Sequence, residues 1–441
     1  MPEALKKFSL FNLPLREVFI FAMPIVAGQV GQMLFGIGDI FVAGFYSSTA
    51  VSAIGVGSAI FSAFLMIGLG VLLCTGPLAS QKKGAGETDT SLLFNVYLVC
   101  VLNSVVLTTL IYAFSLFISI IGLNPEIEPH VARFLQISAF TILPALIFQA
   151  TKEYLQALGK TYFPNALVIV FNLVNLGLGF LFMFGMGSFK GFGITGIAIA
   201  TFVSRTLMAV AAVLYMSSVC EFAKIKNWIT VKRIYTLGIP ISFTILCEVL
   251  IFTVVTVLVG RMSLIASAAQ SLVINITSLT FMVPLGIGSA VSVLVGEQFG
   301  KKSVDGIKKY SAAAMTLALC MQIFFAGIYF TFPHAVLGLF SRDAAVIAYG
   351  SQLLFWVGLF QLPDGIQVVL SGVMRGLNET KIPMVLGFMS YWMIGLPAGC
   401  YFAYTLNYEA RGLWMGLGLG LLCMSILLVI LFRKKLSRFS N

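Results

Sequence analysis

Charge is what this sequence has least of. Only 10% of its residues are Asp, Glu, Lys or Arg, two are His, and the seven Cys are scattered without a CxxC pair. Soluble globular chains carry about 25% charged residues, so a water-exposed surface is excluded. His130 and His334 stand far apart, which argues against a metal centre, because such a site takes three or four ligands. No GxxxxGK[ST] loop is present to cradle phosphates, so the chain does not power itself with ATP. Nor is there a nucleophile with an acid–base pair or a long soluble loop, and neither an enzyme nor a bound organic cofactor is expected.

What remains is hydrophobic. Residues of apolar type make up 59% of the chain and its mean hydropathy is +1.01. A transmembrane helix needs about 20 mostly apolar residues. Windows of that kind occur near 16–43, 52–79, 92–120, 131–157, 163–187, 191–217, 234–259, 268–295, 309–333, 345–372, 382–405 and 411–432. The expected fold class is all-α and integral to the membrane, with twelve transmembrane helices embedded in a lipid bilayer.

The twelve fall into two sets of six. A shift of 216 residues sets Pro24-Ile25 on Pro240-Ile241, Gly44 on Gly260, Ala53 on Ala269, Leu69-Gly70 on Leu285-Gly286, Gly84 on Gly300 and Gly196 on Gly412. After a three-residue slip, Leu143-Pro144 falls on Leu362-Pro363, Thr161 on Thr380 and Pro164 on Pro383. Glycine and proline fix kinks and close helix approaches that unrelated segments do not share. The sequence therefore predicts two pseudo-symmetric six-helix lobes: 1–217, a cytoplasmic linker 218–233, and 234–441 with a basic tail. An even number of spans per repeat gives both lobes the same orientation and an axis along the membrane normal. Residues 1–15 read as an interfacial lead-in, with Lys6-Lys7 beside Leu5, Phe8, Leu10 and Phe11.

Orientation follows from the basic residues. If both termini are inside, the inner segments hold Lys6, Lys7, Arg16, Lys82-Lys83, Lys152, Lys160, Lys224, Lys226, Lys232-Arg233, Lys301-Lys302, Lys308-Lys309, Arg375, Lys381 and Arg433-Lys434-Lys435 with Arg438, while the outer ones hold only Arg133, Lys190, Arg261, Arg342 and Arg411. The positive-inside rule then makes both termini cytoplasmic and explains the net charge of +11 without nucleic acid as a partner. The seven cysteines read as ordinary buried small residues.

Against this background three carboxylates lie within predicted spans: Asp39, Glu248 and Asp364. Each costs about 2.5–3.5 kcal/mol at a helix centre, so such residues face a cavity and serve function. Arg205 is the one basic residue placed well inside a span, and it can pair with only one of them. Gly28, Gln32, Phe35 and Asp39 share one helix face; Thr244, Glu248 and Thr256 share another; Asp364, Gln367 and Ser371 a third. The fifth span adds Asn172 and Asn175, and the sixth Thr195 and Thr201. Carboxylate, amide and hydroxyl oxygens suit a small hard cation, and a buried carboxylate without one takes up a proton. Residue types leave Na⁺ and H⁺ both open. The charges were not duplicated with the backbone: Asp39 matches Val255, Glu248 matches Gln32, and Asp364 matches Ala145, so the halves have different tasks. Thirty-nine Phe and eighteen Met are mostly lipid-facing or core, and a minority lining the cleft would suit flat, apolar cations through cation–π and soft contacts.

Several motifs then carry a resemblance. Met23-Pro24-Ile25 with Gly38-Asp39 and Ala43-Gly44, Ala268-Ala269-Gln270 with Pro284-Leu285-Gly286 and Gly296-Glu297, Asp364-Gly365-Ile366-Gln367 with Arg375-Gly376 and Thr380-Lys381-Ile382-Pro383, and Gly412-Leu413-Trp414 resemble the multidrug and toxic compound extrusion (MATE) family along essentially the whole chain. The resemblance implies a secondary antiporter of the cell membrane that exports organic cations in exchange for Na⁺ or H⁺ by alternating access, acting as a monomer. It implies ion coupling by Asp39 with Asn172, Asn175 and Thr201, and by Glu248 with Asp364, so that Na⁺ is expected at Asp39 or at the Glu248/Asp364 pair. It implies substrate contacts from Gln32, Phe35, Asp39, Glu248, Gln270, Asp364 and Gln367. Phe35 stands where some members have Tyr, and the fifth span offers Asn175 or Leu176 in place of the acid of the DinF-type branch, which favours the NorM-type branch. The alternative is a flippase for lipid-linked oligosaccharides, of similar lobed architecture. It would line its cleft with Arg and Lys for pyrophosphate, and these spans hold acids instead.

Overall fold

The computed structural model describes residues 14–87, 91–220, 223 and 225–440. Nearly all of the expected lead-in at 1–15, and Lys224 of the expected linker, lie outside the described residues.

A bilayer leaves no water for unpaired backbone groups, so apolar runs of this length become helices that satisfy their own hydrogen bonds. In chain order the helices are α1 (Leu15–Gly44), α2 (Ser48–Leu72), α3 (Thr75–Gly84), α4 (Ser91–Leu116), α5 (Glu128–Ala139), α6 (Ile142–Ala157), α7 (Tyr162–Phe184), α8 (Ile194–Val219), α9 (Trp228–Gly260), α10 (Leu264–Gly300), α11 (Val304–Thr331), α12 (Pro333–Gly338), α13 (Ala344–Gly376), α14 (Lys381–Phe388), α15 (Leu396–Cys400) and α16 (Glu409–Ser440). Among the described residues, eleven helices are long and apolar enough to cross a membrane, and α5 with α6, bent by 46° at Phe140-Thr141, makes the twelfth span. The fold is thus the expected all-α, twelve-span membrane architecture. The antiparallel pair β1 (Gly185–Met186) and β2 (Phe189–Lys190) only closes the turn from α7 to α8.

The duplication extends to capping. Ser47 accepts a hydrogen bond from the Ala50 amide at the start of α2, and Ser263, 216 residues later, accepts one from Ala266 at the start of α10, both at 3.0 Å. Each cap satisfies one of the free amides that every helix start exposes.

Two compact units form, and they do not divide at the inter-repeat segment. One contains Ala27–Ala79 and Glu87–Ser242; the other contains Ser80–Gly86, Phe243 onward and the chain through Val26. Two of the changes of membership bound Ser80–Gly86, and the other two fall at Val26/Ala27 and Ser242/Phe243, each two residues past the matching prolines Pro24 and Pro240. Glycine provides the reason. In the first unit, a Cβ on Gly70 would lie 2.6 Å from the Cα of Ser242, and the Ser242 hydroxyl donates to the Ile67 carbonyl at 2.7 Å. In the second, a Cβ on Gly286 would lie 2.8 Å from the Cα of Val26. Gly70 and Gly286 are repeat partners, as are Val26 and Ser242, so each half seats the leading turns of the other half's first helix against its own second span. Close packing through small residues is how apolar helices associate in lipid. Val18, Ala22 and Ile25 accordingly lie in one buried cluster with Ile287, Val291, Val369 and Met374.

The same unit contains a reciprocal crossing of α3 and α10. A Cβ on Gly84 would run into the Glu297 carbonyl, and one on Gly300, its repeat partner, into the Gln81 carbonyl. Around this crossing Lys83 and Lys301 pair with Glu297 at 3.0 and 2.5 Å. Gln81 donates to the Gly376 carbonyl and accepts from Asn378, both at 2.8 Å.

Candidate functional site

The structure places Asp39 in a built pocket of three helices. It sits in α1 at 7% exposure. The Asn175 side-chain nitrogen, from α7, donates to Asp39 Oδ1 at 2.7 Å, and the Thr201 hydroxyl, from α8, donates to Oδ2 at 3.1 Å. Asn175 Oδ1 is buried and has no hydrogen-bond partner. A carboxylate and a free amide oxygen thus share one buried pocket without an ion-pair partner, an arrangement that accepts positive charge.

Other residues expected at this site are placed differently. Asn172 turns its amide to the Gly31 and Val168 carbonyls at 2.5 and 3.0 Å, not to Asp39. Asn172 and Asn175 are three residues apart and share a face broadly, but only the latter is level with the carboxylate. Thr195 is committed to the Phe192 carbonyl at the start of α8. Phe35 is 6% exposed and packs with Phe148, Val168 and Met208. Arg205 is not ion-paired with Asp39: its guanidinium carbon lies 5.3 Å from the Phe61 ring centroid and 6.0 Å from that of Phe35, within cation–π range. Its Nη1 donates to Thr141 at 3.4 Å.

Gln32 leads to residues that the sequence reading passed over. Its amide nitrogen donates to Gln149 Oε1 at 3.3 Å, and Gln149 donates to Glu153 Oε1 at 2.9 Å. Glu153, 2% exposed, is a further buried acid, and beside it Lys152 is wholly buried with its ammonium unpartnered. Lys152, counted above with the inner loop residues, is therefore a second basic residue inside the bundle beside Arg205. The polar series Gln149, Lys152, Glu153, Gln156 at steps of three and four along α6 was the available signal. The bend between α5 and α6 also leaves a groove of about 900 Å³ lined by apolar side chains such as Phe140, Leu143 and Leu214, with Arg133 and Gln136. None of the candidate residues lines it.

In the other unit, Glu248 on α9 and Asp364 on α13 are brought together by Gln367. All three were expected, and Gln367 Nε2 reaches Glu248 Oε1 at 3.4 Å and Asp364 Oδ1 at 3.5 Å. These are at the outer limit of hydrogen bonding, so one weak donor bridges the carboxylates. Both acids are half-buried, whereas Gln367 is buried. Thr256, expected on the Glu248 face, spends its hydroxyl on the Phe252 carbonyl. A buried polar network that sequence did not reveal lies in this unit: Thr280 pairs with Tyr329 at 2.8 Å, and Gln322 donates to the Gln361 carbonyl at 3.1 Å.

Gln270 does not face open space. It is 0% exposed in α10, and its Oε1 accepts from Trp414 Nε1 at 2.7 Å. Trp414→Phe is expected to lower stability by about 1–3 kcal/mol, because Gln270 Nε2 already has no partner and the whole amide would then be unpaired. A thermal melt in detergent checks this. Of the cysteines expected to be buried, Cys74, Cys100 and Cys247 are, whereas Cys220, Cys400 and Cys423 are partly buried and Cys320 is exposed.

Among the described residues no group of three or more His, Cys, Asp or Glu is arranged to hold a metal ion. A protein-family model described as MatE matches residues 24–181 and 240–401, once in each half. The chain belongs to the MatE family. The two matches begin at Pro24 and Pro240, the same displacement as the internal repeat. A multidrug resistance protein named NorM, assigned as probable, from Xanthomonas campestris pv. campestris is 30% identical over 444 residues, covering 98% of this chain and 96% of that one. The multidrug resistance protein MdtK of Pectobacterium atrosepticum is 28% identical over 440 residues, covering 95% of both. These names agree with the NorM-type branch. Among solved structures, the Vibrio cholerae MATE transporter VcmN in a bent form has a TM-score of 0.87 at 18% identity over 96% of this chain and 97% of that one. The eukaryotic MATE transporter AtDTX14 has 0.85 at 20% over 96% and 97%. At these identities the likeness establishes the MatE fold.

Proposed function

We propose that this MatE protein is a secondary antiporter of the cell membrane, acting as a monomer with both termini in the cytoplasm, that exports organic cations in exchange for Na⁺ or H⁺. The observation that carries the reading is the Asp39 pocket: a carboxylate buried in a membrane bundle, held by Asn175 and Thr201, with a free acceptor oxygen beside it. It makes no ion pair, so the pocket favours a proton, a cation or a cationic substrate at the carboxylate. Glu248 and Asp364 form the second exchange point, with Gln367 between them. The relatives' names, multidrug resistance proteins, support xenobiotic efflux.

The mechanism is competition for charge. Open to the outside, the carboxylates take Na⁺ or H⁺ and release the bound cation; open to the cytoplasm, the ion leaves and a cationic drug is accepted. Only differential affinity between the two states moves the equilibrium. The test is ethidium efflux from proteoliposomes under an imposed Na⁺ gradient and, separately, an imposed pH gradient. Drive by either ion supports antiport and names the ion. Efflux that responds to neither sinks it, and binding of a pyrophosphate-linked lipid in its place would turn the reading to a flippase.

A further inference from the structure

We propose that the groove beside the bend of α5 and α6 binds one anionic diacyl phospholipid of the bilayer, with its phosphate at Arg133 and an acyl chain laid along α8. The groove lies wholly within the first unit, and the proposal stands apart from the antiport reading.

The shape of the groove suits a chain. Its volume of about 900 Å³ is that of a pocket for a small amphiphile. Along α8 it is lined by Phe202, Thr206, Ala209, Val210, Val213 and Leu214, steps of four, three, one, three and one that mark a single helix face. From Phe202 to Leu214 an α-helix rises about 18 Å. One leaflet fills about half of a 30 Å hydrocarbon core, so the groove runs the depth of a leaflet. This wall offers an occupant nothing polar. The Thr206 hydroxyl is spent on the Phe202 carbonyl at 2.7 Å, while Val210 and Leu214 are half or more exposed.

Polar groups gather toward the α4–α5 connection. Tyr112 lies near the end of α4, and Arg133 and Gln136 lie in the first half of α5, so a phenol, a guanidinium and an amide line the same groove. Arg133 is exposed and makes no ion pair among the described residues, and the lining contains no Asp or Glu. An organic cation would meet an uncompensated like charge there, so this is not a second site for the cargo proposed above. A phosphate takes paired donation from a guanidinium, and basic pockets between membrane helices are suited to lipid headgroups. The missing carboxylate also discriminates among headgroups. The ammonium of phosphatidylethanolamine has no counter-charge in the lining, whereas the glycerol of phosphatidylglycerol needs none. Charge complementarity therefore selects the anionic lipid.

Native mass spectrometry of the delipidated full chain, titrated with one lipid at a time in detergent, tests the proposal. The wild type is expected to hold one phosphatidylglycerol about tenfold more tightly than phosphatidylethanolamine with the same chains. Arg133→Gln should erase that preference while the chains still bind. Val210→Trp, which fills the groove from a half-exposed position, should weaken both lipids about tenfold. Melting temperature without added lipid is the folding control for each variant. Equal affinity of the wild type for the two lipids overturns the proposal, and so does a preference that survives Arg133→Gln or tight binding that survives Val210→Trp. Binding of glycerol phosphate as tight as that of the lipid would also overturn it, because the apolar wall would then contribute nothing.

Discussion

Asp39→Asn is expected to abolish ion-driven efflux and to leave the protein folded in the membrane. The substitution is nearly isosteric, and an amide oxygen at residue 39 still accepts from Asn175, with the Thr201 hydroxyl free to rotate and accept from the new amide nitrogen. Stability is therefore expected to change by less than about 1 kcal/mol. What disappears is the charge, and with it any difference in affinity between the ion-loaded and drug-loaded states. The ion-dependent component of ethidium efflux should fall at least about a hundredfold, equivalent to about 2.7 kcal/mol of lost coupling. The measurement is initial efflux rate under the driving gradient, normalised to reconstituted protein, with melting temperature as the folding control. A normally folded variant that retains gradient-driven efflux would remove Asp39 from the mechanism.

Gly286→Leu has the opposite profile, a large loss of folded protein with no direct effect on the ion sites. A Cβ at this position meets the Val26 Cα at 2.8 Å and its backbone nitrogen at 2.9 Å, so helix backbone and not a flexible side-chain tip has to yield. Overpacking of this kind costs typically 1–3 kcal/mol, and a leucine pressed on backbone is expected at or above about 3. Gly70→Leu, at the repeat-equivalent contact with Ser242, should behave alike. Yield of monodisperse protein in mild detergent and its melting temperature are the readouts. Normal yield and melting for both would mean that the leading helices are not seated by these contacts.

The number of spans was legible because bilayer thickness imposes a length that few other constraints imitate, and a single window, 131–157, covered α5 and α6 together. The bend between them was marked only by Pro144. The acids were legible because charge in apolar spans is rare. Their partners were less so: Asn172 and Asn175 fit the same stripe, and only the rise along α7 separates the one that reaches Asp39 from the one that binds backbone. Gln270 looked like a polar residue facing a cleft, but its partner Trp414 is 144 positions away, beyond any local pattern. Lys152 and Glu153 were hidden at the end of a window, where charge normally signals a loop.

The exchange of leading helix turns between the halves also dictates an order of assembly. Residues 15–26 are translated well before the surface that receives them, around Gly286. The first unit likewise lacks a wall until residue 242 has been translated. Folding here cannot proceed strictly from one end, as it does for chains whose early segments close on themselves. The Gly70 seat stays open until the leading turns of α9 are translated, and the leading turns of α1 gain theirs only once Gly286 has been made.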